Sequence, residues 1–152
     1  MVPPADGPCT FVTRAGGGEL RWHGAFRHGR HDGLWRVTDE KTGETLWEVT
    51  WAGGKWHGPS RSWYPNGRLQ QEGHYENGFM TGLWTFWFPS GEIAARGRYE
   101  RDRKSGVWEY FDEGGAVVEH GTWERDFGFE YDFAYDDYTG LPRGENWPRP
   151  EP

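Results

Sequence analysis

The 152 residues suit one domain with a real core, yet only 34% are hydrophobic while 18% are aromatic, with eleven Trp, 24 Gly and 10 Pro. So few aliphatic residues argue against a helix bundle, and so many aromatics argue against disorder; repetitive β-structure is left. The net charge of −7 is uneven: from Glu109 to Asp137 ten acidic residues face one basic one, a local −9 against +2 for the rest, a field that steers basic partners and repels nucleic acid.

A single cysteine, Cys9, rules out an intrachain disulfide and a multi-cysteine zinc site. The N-terminal stretch has neither the basic run nor the apolar core of a signal peptide, and no segment approaches the ~20 apolar residues of a membrane span. The expectation is a soluble, cytoplasmic protein.

Residues 1–17 read as a Pro-rich lead and a first strand, Cys9 to Arg14, closed by Gly16 to Gly18. From Glu19 to Arg27 the chain alternates, with Leu20, Trp22, Gly24 and Phe26 on one face. Residues 18–125 then repeat: Gly58 to Thr81 and Gly82 to Ser105 pair Gly67 with Gly91, Leu69 with Ile93, Gly73 with Gly97 and Tyr75 with Tyr99, always 24 apart. The template extends forward to Gly121 and Trp123 and backward to Gly33, Gly43 and Trp51.

Each unit reads as a β-hairpin, two aromatic-rich alternating runs around Asn66-Gly67 or Ser90-Gly91, dipeptides suited to a two-residue type I′ loop. Such a loop sets Phe88 against Ile93, Phe86 against Ala95, Trp84 against Gly97 and Trp108 against Gly121. Each indole is expected to lie over the bare glycine facing it. Ser60, facing Gly73, lacks that large ring, so packing is expected to be thinnest in the second unit. Leu69, Gln71, Gly73, Tyr75; Ile93, Ala95, Gly97, Tyr99; and Val117, Glu119, Gly121, Trp123 continue the core face. Longer loops such as 77–82 return the chain between units, giving an elongated all-β antiparallel meander of about four repeats with end caps. Residues 126–138 read as a capping strand in which Phe129, Tyr131, Phe133 and Tyr135 alternate with mostly acidic positions, and 139–152 as a Pro-rich tail.

The series Gly73, Tyr75, Asn77, Gly78, Gly82, Trp84, Trp87 and Gly91 resembles the MORN-repeat variant of bacterial proteins, over residues 18–124. The resemblance implies stacked hairpins in one elongated sheet. It also implies two functional settings: bacterial antitoxin or immunity proteins that neutralise a toxin, and scaffolds, some of them linked to membranes. The sequence departs from the pattern at Arg101-Asp102, which replace Asn and Gly, at Ser60, and in the acidic end.

Little in the chain suggests catalysis. His28, His31 and Asp32 cluster in a turn but lack a further well-placed metal ligand, Asp126-Phe127-Gly128 stands without the other kinase motifs, and no Walker loop or nucleophile elbow occurs. No cofactor is expected. Trp63, Trp87 and Phe111, each five residues after a unit-opening glycine, should form a ladder on the face away from Trp84 and Trp108, together with Arg61, Arg96 and Arg98. Aromatics with arginines match the composition of binding hot spots, although repeats build such ladders automatically and the tail can cover them. The reading is therefore a non-enzymatic protein-binding module, an immunity protein or antitoxin for a basic toxin domain, with Asp132, Asp136 and Asp137 supplying steering and charge pairing. The alternative is a scaffold that self-associates through open sheet edges or attaches to membrane; net negative charge argues against membrane and nucleic-acid partners.

Overall fold

The structure, a computed structural model, describes residues 4–15 and 18–123. Ten strands form one antiparallel sheet in strict sequence order: β1 (Gly7–Ala15), β2 (Gly18–Arg27), β3 (Arg30–Asp39), β4 (Thr45–Ala52), β5 (Lys55–Trp63), β6 (Leu69–Glu76), β7 (Phe79–Trp87), β8 (Ile93–Glu100), β9 (Arg103–Phe111) and β10 (Val117–Trp123). This is the all-β antiparallel meander that the repeats predicted, here with β1 and β10 as its two ends, and the described residues contain no helix. The capping strand and the tail read from the sequence lie outside the described residues.

Two kinds of turn alternate, and their chemistry is the reverse of the sequence expectation. Within units the Phe88 N–H donates to the Glu92 carbonyl at 2.8 Å and the Gly91 N–H to the Phe88 carbonyl at 2.9 Å; Tyr64–Arg68 and Asp112–Ala116 repeat this pattern. Pro89, Ser90 and Gly91 therefore make a three-residue loop ending in a left-handed glycine, φ 97°. A two-residue loop is blocked because its flanking residue must donate an N–H, which Pro65 and Pro89 lack. The extra residue moves the pairing by one: Trp87, not Phe88, faces Ile93, while Phe86–Ala95 and Trp84–Gly97 stand as expected.

Bulges at Leu46, Gln70, Ala94 and Val118 absorb that shift. They turn Leu69, Ile93 and Val117, read as core, to the opposite face. The type I′ turns instead join successive units, at His28-Gly29, Gly53-Gly54, Asn77-Gly78 and Arg101-Asp102, where both central residues have positive φ. At the last of these, two non-glycine residues are held left-handed. The Asp102 carboxylate accepts the Met80 N–H at 2.6 Å, and the Asp102 N–H reaches the Met80 carbonyl at 3.1 Å.

The core face carries the joint that holds the units together. Trp84 registers with Gly97 and Trp108 with Gly121, as expected, but the rings lean the other way. A Cβ built on Gly73 would stand 2.1 Å from Trp84 Cδ2, one on Gly97 2.2 Å from Trp108 Cδ2, and one on Gly24 2.2 Å from Trp35 Cδ2. Each indole thus covers the glycine of the preceding strand. The cause is a second bulge: between the pairs Glu72–Thr85 and His74–Thr81, Gly73 alone faces Gly82, Leu83 and Trp84, and Gly82 turns at φ 70°. Gly33 and Gly106 do the same ahead of Trp35 and Trp108.

Each ring is then fixed twice. The indole N–H of Trp35, Trp84 and Trp108 donates to the carbonyl after the covered glycine, on Ala25, His74 and Arg98, at 3.0–3.2 Å. The next core residue of that strand meets the indole edge-on, with centroids 5.0–5.1 Å apart: Phe26 on Trp35, Tyr75 on Trp84, Tyr99 on Trp108. All three indoles are fully buried.

Ser60 does not leave the second unit thin. Its joint is with β4, which carries Val49 where β2, β6 and β8 carry glycine, and the two register as a buried pair. The Trp47 indole N–H donates to Ser60 Oγ at 3.1 Å. The joint exchanges its large and small members, and Gly73 is covered by Trp84 from β7.

Candidate functional site: the outer sheet face

Alternation sends every residue between two core positions to the other face, on which no described element packs. Three bands run across the strands there.

Nearest the within-unit loops, Trp63 registers with Leu69, Trp87 with Ile93 and Phe111 with Val117. The three rings, predicted as a ladder away from Trp84 and Trp108, are half-buried on this face. Each pairs with an aliphatic side chain that the loop bulge has turned outward, so bulge and ladder have one origin.

The middle band is a chain of charges in which Arg36, Glu48, Arg61, Glu72, Thr85, Arg96 and Glu109 each register with the next. Ion pairs close within it: Arg36–Glu48 at 2.9 Å, Arg61–Glu72 at 2.8 Å and Arg96–Glu109 at 3.1 Å. Arg96 also lies over the Phe111 ring, 5.5 Å from its centroid. Arg61 and Arg96, named from sequence as partner contacts, are thus engaged within the sheet, where exposed pairs contribute little stability but fix the side chains. Arg98 is exposed, registered with Leu83. Asp132, Asp136 and Asp137 lie outside the described residues.

The third band was missed in the sequence. Leu34, Leu83 and Val107, 52%, 57% and 62% exposed, each sit between a left-handed glycine and a core Trp. The bulge that seats the indole throws the intervening side chain outward. The signal was the repeated Gly-x-Trp triplet with an apolar middle residue.

Charge divides the two long sides of the sheet. The within-unit loops, 39–44, 64–68, 88–92 and 112–116, hold six acidic residues against Lys41 and Arg68, net −4; the turns between units, 27–30, 52–55, 76–79 and 100–103, hold five basic against three acidic, net +2. Three of the loop acids are occupied locally, Asp112 Oδ1 accepting the Gly114 and Ala116 N–H groups at 2.9 and 3.0 Å. N–H groups of Thr42 and Lys41 hold the Asp39 carboxyl below its usual range, and the Arg21 guanidinium does so for Glu40 at 2.6 Å. At the end of the charge band, burial first and then Arg21 and Arg36 depress the pKa of His23.

The histidine cluster does not converge. His31 is buried among Phe26, Trp35 and Trp51 at 4.6–4.8 Å, whereas His28 is exposed in its turn. Among the described residues no three His, Cys, Asp or Glu side chains are grouped to hold a metal ion.

Two stretches, residues 56–77 and 80–101, match the MORN repeat variant family. These two stretches are similar to MORN-type repeats, and the bulges and indole joints continue on both sides of them, at Leu46 and Trp35 before and at Val118 and Trp108 after, while the loop at 39–44 is one residue longer. No curated protein matches the chain.

Proposed function

We propose that this sheet of MORN-type repeats is a non-enzymatic, protein-binding module, and specifically an immunity protein or antitoxin acting in the cytoplasm on a basic toxin domain. The supporting observation is the outer band of Trp63, Trp87 and Phe111, each paired with an aliphatic neighbour, on a face that no described element covers. Half-buried aromatics that are already ordered lose little entropy on binding and are the residues enriched at hot spots. Acidic loops flank the band and favour a basic partner through faster, salt-dependent association.

The test is co-purification with the product of the neighbouring gene, together with rescue of cells expressing that product. Complex formation with rescue supports the reading; a neighbour that neither binds nor harms cells removes it. The second reading, a self-associating scaffold, has its own motivation in β1, a nine-residue strand at the end of the sheet whose outer edge pairs with no described strand.

A further inference from the structure

We propose that the outer aromatic band takes a basic polyproline-II segment of the partner, one helical turn per repeat. The inference rests on the protein-binding reading above and names the shape and charge of what binds.

Spacing carries the argument. Trp63, Trp87 and Phe111 stand on β5, β7 and β9, so successive rings are two strands apart, about 9.4–9.8 Å. A polyproline-II helix returns to the same face every three residues, about 9.3 Å. Over the two intervals between three rings the mismatch is at most about 1 Å. An α-helix meets the band every seventh residue, about 10.5 Å, and drifts about 1.4–2.2 Å over the same two intervals. A β-strand crossing the band repeats one face in steps of about 6.6–6.8 Å and fits no better. Aromatic rows are also the surface on which proline-rich segments dock, because the ligand is ordered before it binds.

Charge selects among such segments. Along the open side of the band the loops hold Glu92, Asp112 and Glu113 against Arg68, all exposed, net −2. Its inner side is the Arg–Glu ladder, whose arginines are already paired. A cationic ligand therefore meets a net negative rim, in which Asp112 Oδ1 already accepts the Gly114 and Ala116 N–H groups, and an acidic ligand meets repulsion. Arg96, held over Phe111 by Glu109, keeps that ring in place.

The experiment titrates the full chain with a peptide carrying proline at every third position and arginines between, followed by Trp fluorescence. Comparison peptides replace the arginines by glutamates, or the prolines by Gly and Ser at unchanged charge. The expected result is saturable binding of the Arg/Pro peptide, at least roughly tenfold tighter than either comparison, weakened roughly tenfold or more by Trp87→Ala. Glu92→Lys with Glu113→Lys, both exposed, tests the rim without touching packing and is expected to abolish the salt dependence. Equal binding of the Gly/Ser peptide overturns the inference, as does binding unchanged in both variants, or dimerisation of the chain lost on Trp87→Ala, which assigns the band to a second copy. A complex with the neighbouring gene's product that survives both variants also overturns it, and leaves the protein-binding reading standing.

Discussion

Gly73→Ala places a methyl group inside an indole. The new Cβ would stand 2.1 Å from Trp84 Cδ2 and 2.2 Å from Cε2, where carbon atoms prefer about 3.5–4.0 Å. The ring must therefore move by roughly 1.5 Å. It has nowhere to go: Trp84 is fully buried, its N–H is bonded to the His74 carbonyl, and Tyr75 stands against its edge. Overpacking of this kind costs about 1–3 kcal/mol, and ejection of the ring approaches the 3–5 kcal/mol of a Trp→Ala truncation. We expect Gly73→Ala to destabilise by about 3 kcal/mol, Trp84→Ala by about 3–5 kcal/mol, and the double variant by little more than Trp84→Ala alone. Once the ring is gone the methyl group has space, so the coupling energy is about 2–3 kcal/mol. Denaturant titration of the four proteins gives the cycle. Additive effects would show that Trp84 does not occupy the space above Gly73. Gly78→Ala is the control for backbone strain without a clash: its φ is 87° with nothing within 4 Å, and about 1–2 kcal/mol is expected.

Three further outcomes are expected. Ser60→Trp and Val49→Gly should each destabilise by more than about 2 kcal/mol, the first by overpacking and the second by a cavity, whereas together they install the joint of the other units and recover much of the loss; denaturant midpoints decide. Arg101→Asn should raise stability by up to about 1 kcal/mol, seen as a higher Tm, because Asn tolerates the left-handed φ of 49° that Arg adopts there. His23 has its pKa lowered in the fold from a reference of 6.5, so the unfolded chain binds the proton more readily. Its contribution is complete above pH 6.5 and is lost as pH falls toward the folded pKa. The stability–pH curve of His23→Gln should accordingly be flatter just below pH 6.5.

The architecture was legible because a 24-residue period with alternating aromatics admits few solutions. Strand pairing around Trp84–Gly97 and Trp108–Gly121 followed from counting across the loop. What counting could not supply was the bulges. Pro65 and Pro89 carried the correction, since a residue without an N–H cannot close a two-residue loop, but Asn-Gly and Ser-Gly were the more familiar signal. The direction of each indole was hidden for a related reason. Its register partner is the following strand's glycine, but the positive-φ glycine two residues earlier tilts it onto the preceding strand. Val49 opposite Ser60 held the clue, because the one joint between units that lacks a covering Trp on its second strand also lacks a bare glycine on its first.

The outer face was half legible. Template position placed Trp63, Trp87 and Phe111 together, and alternation placed Arg61, Arg96 and Arg98 beside them. That Arg61 and Arg96 are tied to Glu72 and Glu109 needed the cross-strand register. Leu34, Leu83 and Val107 needed the bulge geometry.

A glycine beneath an aromatic ring has its Hα protons shifted strongly upfield by the ring current, and NMR reads this residue by residue. The account predicts upfield Hα signals at Gly24, Gly73 and Gly97, each abolished by replacing Trp35, Trp84 and Trp108 respectively with Ala. Upfield signals at Gly97 that depend on Trp84 instead of Trp108, or ordinary shifts at all three glycines, would contradict it.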